Sequence, residues 1–231
     1  MGEKYYRRTT LMKRLFIIVE GQTEQEFVKE ILSPYLQASN IHNVVPILIN
    51  TSKIGRGGFV NYKHLENTIN GLLHQSPKND FIVTTFVDFF RIPKSIPKYS
   101  ECMSLGSRIC QVNALENAIS EKIGDNRFIP YIQLHEFEAL LFSNNNGFEY
   151  FYDEIISSQT NKIINQYRNP EDINTTPNGA PSKRILAIKK DYDKVIEGNL
   201  IAMEVGINSI LKECPRFKSW IDNLIQMCRD T

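Results

Sequence analysis

Four apolar runs in the first part of the chain show almost no alternation with polar residues. They are residues 15–19, 44–50, 81–88 and 128–134. A strand that helices cover on both faces is apolar throughout, so this pattern predicts a mainly parallel sheet. Pro46 lies inside the second run and indicates a strand at the edge of the sheet, because proline cannot donate to a central ladder.

Apolar residues recur at helical spacing between these runs and through the last third of the chain. The predicted helices cover residues 23–35, 62–74, 112–123, 148–167, 182–196, 201–212 and 217–228. Thr23 and Glu26 form a capping box that begins the first helix. The pattern therefore predicts an α/β core over residues 12–143, with a mostly helical part over residues 144–231 packed on it.

Composition and charge narrow the function classes only slightly. Lys+Arg total 27 and Asp+Glu total 26, so the net charge of +1 provides no general attraction for nucleic acid, and any phosphate-binding surface must be local. The four cysteines have no metal-ligand spacing and no secretory signal precedes them, which favours reduced thiols in the cytoplasm. No stretch approaches the roughly 20 apolar residues of a membrane span, so we expect no membrane contact.

Acidic residues stand at the ends of three predicted strands. Glu20 and Asp88 end the first and third strands directly, and His135, Glu136 and Glu138 follow the fourth. Parallel strands end at one edge of a sheet, so we expect these groups to lie close together. Clustered carboxylates repel one another unless a cation lies among them, and oxygen ligands suit Mg²⁺ or Mn²⁺. The pattern points to metal-assisted phosphoryl or phosphodiester chemistry.

Simpler interpretations remain open for several of these residues. Glu24 either joins the site or complements the dipole of the first helix, and the position of Glu26 favours a role as a cap alone. A hydrogen bond at a strand end is the commoner role for an isolated histidine such as His135. Of Glu136 and Glu138, we expect one to face inward and the other to be solvated.

Two basic groups are candidates for holding a phosphate. Lys53 and Arg56 lie among glycines after the second strand, where backbone amides and side chains could both reach an anion. Ser182, Lys183 and Arg184 stand at a predicted helix start, which is a second anion-binding geometry. Each group is also explained as a solvated surface cluster, and for the first group this is the better interpretation on spacing alone. The glycine loop lacks Gly-Lys-Ser/Thr, which argues against a P-loop ATPase.

Four motifs together resemble a bacterial family of unknown function, the one numbered 4276, which has a Toprim-like fold. The motifs are Val19 to Glu24, Thr84 to Asp88, Tyr131 to Phe142 and Ala180 to Ile185. The resemblance spans residues 12–220 and implies that residues 1–11 are either an N-terminal extension or the result of a misassigned start. It also implies an AAA- or ABC-type ATPase partner, because the family is often encoded beside such ATPases in defence-like gene pairs.

The Toprim resemblance also implies roles for the acids. Toprim domains of topoisomerases, primases and overcoming-lysogeny-type nucleases hold Mg²⁺ with a glutamate after the first strand and acids after a later strand. Glu20 matches the first position and Asp88 the second. Phe90 stands where the Toprim pattern has a further acid, so either Glu136 or Glu138 replaces it, or the site holds one ion or none.

The leading hypothesis is a Mg²⁺- or Mn²⁺-dependent Toprim-like nuclease acting on nucleic acid. In this hypothesis the metal-binding and catalytic residues are Glu20, Asp88, Glu136 and Glu138, and Glu20 is alternatively the general base. The residues that hold a phosphate are Lys53, Arg56, Lys183 and Arg184. Glu24, His135 and Ser182 are accessory candidates. The alternative is a non-catalytic module with a degenerate site that regulates a partner ATPase, which Phe90 and the near-neutral charge favour. A third reading of the same acids is a small-molecule phosphohydrolase.

Overall fold

The computed structural model of the protein describes residues 13–49, 59, 61–77, 80–173 and 179–229. Within them the strands are β1 Arg14–Val19, β2 Val44–Leu48, β3 Phe81–Asp88, β4 Phe128–Ile129 and β5 Ile132–Gln133. All pairings are parallel, in the order β2-β1-β3-β4, with β5 also paired to β3. The predicted α/β fold with a Rossmann-like parallel sheet is confirmed, and β2 lies at an edge, as Pro46 indicates.

Helices connect the strands and make up most of the chain after residue 143. Their bounds are α1 Gln22–Phe27, α2 Ser33–Ala38, α3 Tyr62–Leu73, α4 Tyr99–Met103, α5 Arg108–Ile123, α6 Asn146–Phe151, α7 Glu154–Ile164, α8 Pro181–Ile188, α9 Ile196–Val205, α10 Ile207–Glu213 and α11 Pro215–Arg229. A π-helical turn, Val28–Leu32, joins α1 to α2. Phe137–Ser143 and Pro170–Asp172 form 3₁₀ helices.

Side chains of β1 alternate between two hydrophobic cores, one on each face of the sheet. Leu15 and Ile17 belong to the core that α1 and α11 cover. In this core Trp220 stacks on the ring of Tyr131, which lies between β4 and β5. Phe16 and Ile18 belong to the core that α3 and α5 cover. Burial on both faces is the physical reason why the run of apolar residues in β1 is unbroken.

Residues 128–134 form two short strands, and the single strand predicted there is wrong. Pro130 lies between the two strands and has no N–H to donate. Thr84 and Thr85 of β3 donate their hydroxyls to the carbonyl oxygens on either side of Pro130, at 2.6 and 2.8 Å. The chain then pairs again with the end of β3, where Asp88 lies.

The predicted capping box of Thr23 and Glu26 is also wrong. α1 begins at Gln22, and no side chain among the described residues caps its first turn. Thr23 is buried inside that turn, where its hydroxyl is past the cap position. Glu26 pairs instead with Lys29 at 2.8 Å on an exposed face of the helix.

Three predicted helices are shortened or divided: 148–167, 182–196 and 201–212. Asp153 accepts a bond from a backbone amide of α7 at 2.9 Å and begins that helix. Asp193 accepts bonds from two amides at the start of α9, each at 2.9 Å. Gly206, with φ of +77°, separates α9 from α10. Residues 189–195 are therefore a connection between α8 and α9, and this connection reaches the carboxyl edge of the sheet.

Candidate functional site

Acidic side chains from distant parts of the chain meet at the carboxyl edge of the sheet. Glu20 follows β1, Asp88 ends β3, and Glu136 and Glu138 follow β5. The amide of Asp88 donates to Glu20 Oε2 at 3.4 Å, and the amide of Phe137 donates to Asp88 Oδ1 at 2.9 Å. Adjacent parallel strands end at one edge, which is why these acids lie together.

Glu24 reaches the same cluster from the first turn of α1. Its side chain is only 4% exposed, and it faces the acids rather than solvent. A Cβ atom on Gly21 would lie 3.1 Å from Glu24 Oε2, so glycine at this position leaves room for the carboxylate. Of the two interpretations open for Glu24, the geometry supports the one that includes it in the site.

A lysine that the sequence analysis did not single out lies among these acids. Lys194 Nζ is 3.4 Å from Glu138 Oε2. It is also 3.5 Å from Glu24 Oε1 and 3.7 Å from Asp88 Oδ2. The lysine side chain is 39% exposed, whereas that of Glu138 is 0% exposed. The ammonium group therefore offsets part of the repulsion among carboxylates that have lost their hydration.

Burial raises the pKa values of Glu138 and Asp88. For Glu138, burial raises the pKa to about 7, with Lys194 acting in the opposite direction. For Asp88, burial raises the pKa well above its ordinary value; Lys194 opposes the shift, and the neighbouring glutamates add to it. Burial would lower the pKa of Lys194, but the surrounding carboxylates outweigh that effect and raise it. The cluster therefore strongly favours a cation at its centre.

Two side chains in the site carry buried oxygen atoms that have no hydrogen-bond partner among the described residues. They are Glu138, at both carboxylate oxygens, and Tyr192, at its hydroxyl. The ion pair with Lys194 lacks hydrogen-bond geometry, so it does not satisfy Glu138. Tyr192 packs against Gly198, where a Cβ atom would lie 2.7 Å from the hydroxyl oxygen. Buried polar atoms without partners are costly, and here they indicate a place for a bound group.

Glu136 is buried like Glu138, so the prediction that one of the two is solvated is wrong, but the environments of the two carboxylates differ. The Glu136 carboxylate accepts a bond from the Ser182 amide at 3.0 Å and from the Ser182 hydroxyl at 2.8 and 3.0 Å. Ser182 lies in the first turn of α8, so the carboxylate takes the place at this helix start that the sequence analysis gave to a phosphate. Glu136 thus ties the β5 end to α8 beside the cluster.

The predicted phosphate-binding residues separate in space. Lys183 lines the cleft and is exposed. Arg184 points elsewhere, because successive helical residues are rotated by about 100°; its Nε donates to Gly179 O at 2.8 Å and its guanidinium contacts Tyr167. Lys53 and Arg56 lie outside the described residues.

Arg91, which the sequence analysis did not consider, lies beside the acids with Phe90. Arg91 is exposed and has a left-handed backbone conformation, with φ of +61°. Its guanidinium lies over the Phe90 ring, 5.2 Å from the ring centre. Arg91 therefore supplies a third positive charge to the wall of the site, beside Lys183 and Lys194.

His135 is a structural residue at the turn that leads into Glu136. Its φ is +73°, a strained conformation for a residue with a side chain, and its carbonyl accepts the Phe90 amide at 2.8 Å. Burial, together with the nearby charge of Arg108, lowers the pKa of His135 to about 4. The imidazole is therefore neutral at physiological pH, and it does not line the cleft.

These side chains enclose a cleft of about 330 Å³. Its lining residues are Glu20, Asp88, Phe90, Arg91, Glu136, Glu138, Ser182, Lys183, Leu186, Tyr192 and Lys194. The volume is at the lower end of the range for small-ligand sites. Among these residues Asp88, Glu136 and Glu138 are buried, whereas Arg91 and Lys183 are exposed.

The donor atoms suit Mg²⁺ or Mn²⁺ in chemical kind, because carboxylate oxygens are hard ligands and those of Glu138 are unpartnered. In the part of the chain that the structure describes, no group of three or more His, Cys, Asp or Glu is placed as a metal site requires. Mg²⁺ needs oxygen atoms at about 2.0–2.1 Å. The residues therefore fit the ion only if the Lys194 ammonium leaves and the carboxylates close in by more than about 1 Å.

Fold and site together define an α/β protein with an acidic cleft at the carboxyl edge of a parallel sheet. The chain belongs to a family described as a domain of unknown function, DUF4276, whose model matches residues 19–225. This confirms the family membership that the motifs predict. No curated protein and no solved structure matches the chain. Among the described helices, none has both the length and the apolar character that crossing a membrane requires.

Proposed function

We propose that this protein is a Mg²⁺- or Mn²⁺-dependent nuclease that hydrolyses phosphodiester bonds of nucleic acid in the acidic cleft. The observation that carries the proposal is the meeting of Glu20, Asp88 and Glu138 at the ends of neighbouring parallel strands. Glu24 adds a fourth carboxylate from the adjoining helix. The Toprim-like resemblance of the motifs supports the same chemistry.

In this proposal Glu24, Asp88 and Glu138 hold the ion, because their oxygens surround the point now taken by Lys194 Nζ. The chemistry that a divalent cation would supply there is polarisation of a phosphoryl oxygen and a lower pKa for a bound water. Glu20 is more exposed than the other acids, and burial raises its pKa. Glu20 is thus suited to accept the proton of the attacking water at the mouth of the cleft.

Substrate binding is proposed to use the exposed cations of the cleft. Lys183 and Arg91 project from different elements and would contact the phosphates on either side of the scissile bond. Glu136 holds Ser182, and with it the start of α8, so that Lys183 stays at the cleft wall. Because the net charge is only +1, we expect weak, salt-sensitive binding that depends on these few contacts.

The test is cleavage of single-stranded DNA, duplex DNA and RNA with Mg²⁺, with Mn²⁺ and with EDTA. We expect Asp88→Asn to reduce the rate by at least ~100-fold, since even outer-sphere changes at metal sites cost 10–100-fold. Glu20→Gln should also reduce it strongly. The control is Glu26→Gln, which removes an exposed acid of α1 that lies outside the cleft. Equal rates for all four proteins, or full activity in EDTA, would end the catalytic proposal.

A second candidate function is a non-catalytic module that regulates a partner ATPase. The position of Lys194 favours it, because a lysine among the acids can neutralise a site that no longer binds metal. Co-purification with an ATPase encoded nearby, together with no Mn²⁺ binding in calorimetry, would support this function over the first. The four cysteines are free thiols, which is consistent with a cytoplasmic location for either function.

A further inference from the structure

Lys194 occupies the place that a divalent cation would need. Its Nζ atom lies within 3.7 Å of carboxylate oxygens of Glu24, Asp88 and Glu138. A bound Mg²⁺ would need the same oxygens at about 2.0–2.1 Å. Two positive groups cannot share so small a volume, so the ammonium group and the ion exclude each other.

The backbone on both sides of Lys194 is held in place, whereas its side chain has a way out. The Tyr192 side chain is buried, and the Tyr192 amide donates to Lys189 O at 3.2 Å. Asp193 accepts bonds from two amides at the start of α9. The Lys194 side chain is 39% exposed and lines the cleft. Its ammonium group can therefore leave the acids by side-chain rotation alone.

We propose that Lys194 is a built-in competitor that sets the metal affinity of this site. The ammonium group balances the carboxylates when divalent ion is scarce, and it turns toward the open side of the cleft when the ion binds. The inference rests on the proposed function in taking the competing ion to be divalent. A lysine that served only to contact phosphate would leave ion affinity unchanged when removed, whereas a competitor makes it rise.

The experiment measures Mn²⁺ binding to the full chain by titration calorimetry, and the Mn²⁺-dependent rise in melting temperature. We expect Lys194→Met to bind Mn²⁺ roughly tenfold more tightly than wild type, or tighter still, because the ion no longer has to displace an ammonium group that attracts carboxylates about 4 Å away. Lys194→Arg keeps the charge and should bind no more tightly than wild type. The matched control is Lys190→Met, which removes one exposed charge from the same connection and should bind as wild type does.

Equal or weaker Mn²⁺ binding by Lys194→Met overturns the inference. If this variant unfolds without metal, recovery of its melting transition in Mn²⁺ supports the inference, and a chain that stays unfolded in Mn²⁺ overturns it. The proposed function is judged separately. If Lys194→Met binds Mn²⁺ and wild type does not, the inference is supported and the proposed metal-dependent activity is refuted. If wild type cleaves nucleic acid in a Mn²⁺-dependent way and Lys194→Met binds Mn²⁺ no more tightly, the proposed function is supported and the inference is refuted.

Discussion

Replacing Glu138 with glutamine should separate the stability of this protein from its activity. The side chain is fully buried, and its carboxylate oxygens have no hydrogen-bond partner among the described residues. Burial raises its pKa to about 7 even though Lys194 attracts the charged form. Holding this carboxylate ionised therefore opposes folding. Glutamine has nearly the same shape and no charge, so it removes that opposition.

The expected gain in stability depends on pH. An acid whose pKa is higher in the folded state binds its proton more tightly there, so stability falls as the pH rises between the two pKa values. For Glu138 the pKa is 4.5 in the unfolded chain and about 7 in the folded protein. At about 1.4 kcal/mol per pH unit, the difference corresponds to about 3 kcal/mol. We expect Glu138→Gln to raise the free energy of unfolding by about that amount near pH 8, and by little near pH 4.

The assay is urea-induced unfolding at both pH values without divalent ions, followed by cleavage measurements in Mn²⁺. Near pH 8 the gain should also raise the melting temperature by ~6–12 °C for a chain of this size. Glu26→Gln serves as the control, because its exposed carboxylate should change stability by no more than ~0.5 kcal/mol. A variant less stable than wild type near pH 8, or an equal gain at both pH values, would refute the reasoning. Cleavage by Glu138→Gln at the wild-type rate would show that Glu138 is not a metal ligand.

Three further predictions concern the packing of the fold. Arg216→Met should lower the free energy of unfolding by about 3 kcal/mol in urea titrations. The substitution removes the only cation that contacts the largely buried Glu116 carboxylate among the described residues, at 2.8 and 2.9 Å, and leaves it the Ile132 amide alone. Gly147→Ala should cost about 1–3 kcal/mol, because its Cβ would lie 2.5 Å from Ile201 O. Gly71→Ala, with nothing within 4 Å, should instead stabilise by about 0.5–1 kcal/mol in thermal unfolding. A loss of stability in both glycine variants would contradict the packing argument.

Local patterns were enough to predict the sheet and the edge at which the acids gather. Burial on both faces leaves an unbroken apolar run, so β1 and β3 were recognisable without any tertiary information. Glu20 and Asp88 could be found because each stands where such a run ends. Pro130, which interrupts the last run, is the sequence signal for the division of β4 from β5.

Longer-range features of the site could not be predicted in this way. Lys194 lies in a run of charged residues that resembles the end of a helix, and nothing in that run distinguishes it from Lys190. Arg184 and Lys183 are neighbours in sequence, yet the helical rotation sends one to Tyr167 and the other to the cleft. These outcomes depend on how α8 and α9 pack against the sheet.

The sequence by itself thus determined which positions are buried and where the acids emerge, because periodicity records the local environment of each side chain. Only the tertiary structure decided which cation lies among those acids. Lys194 comes from a segment more than a hundred residues after Asp88. The contact between them results from helix packing over the whole C-terminal third, and no local pattern of residues encodes such a contact.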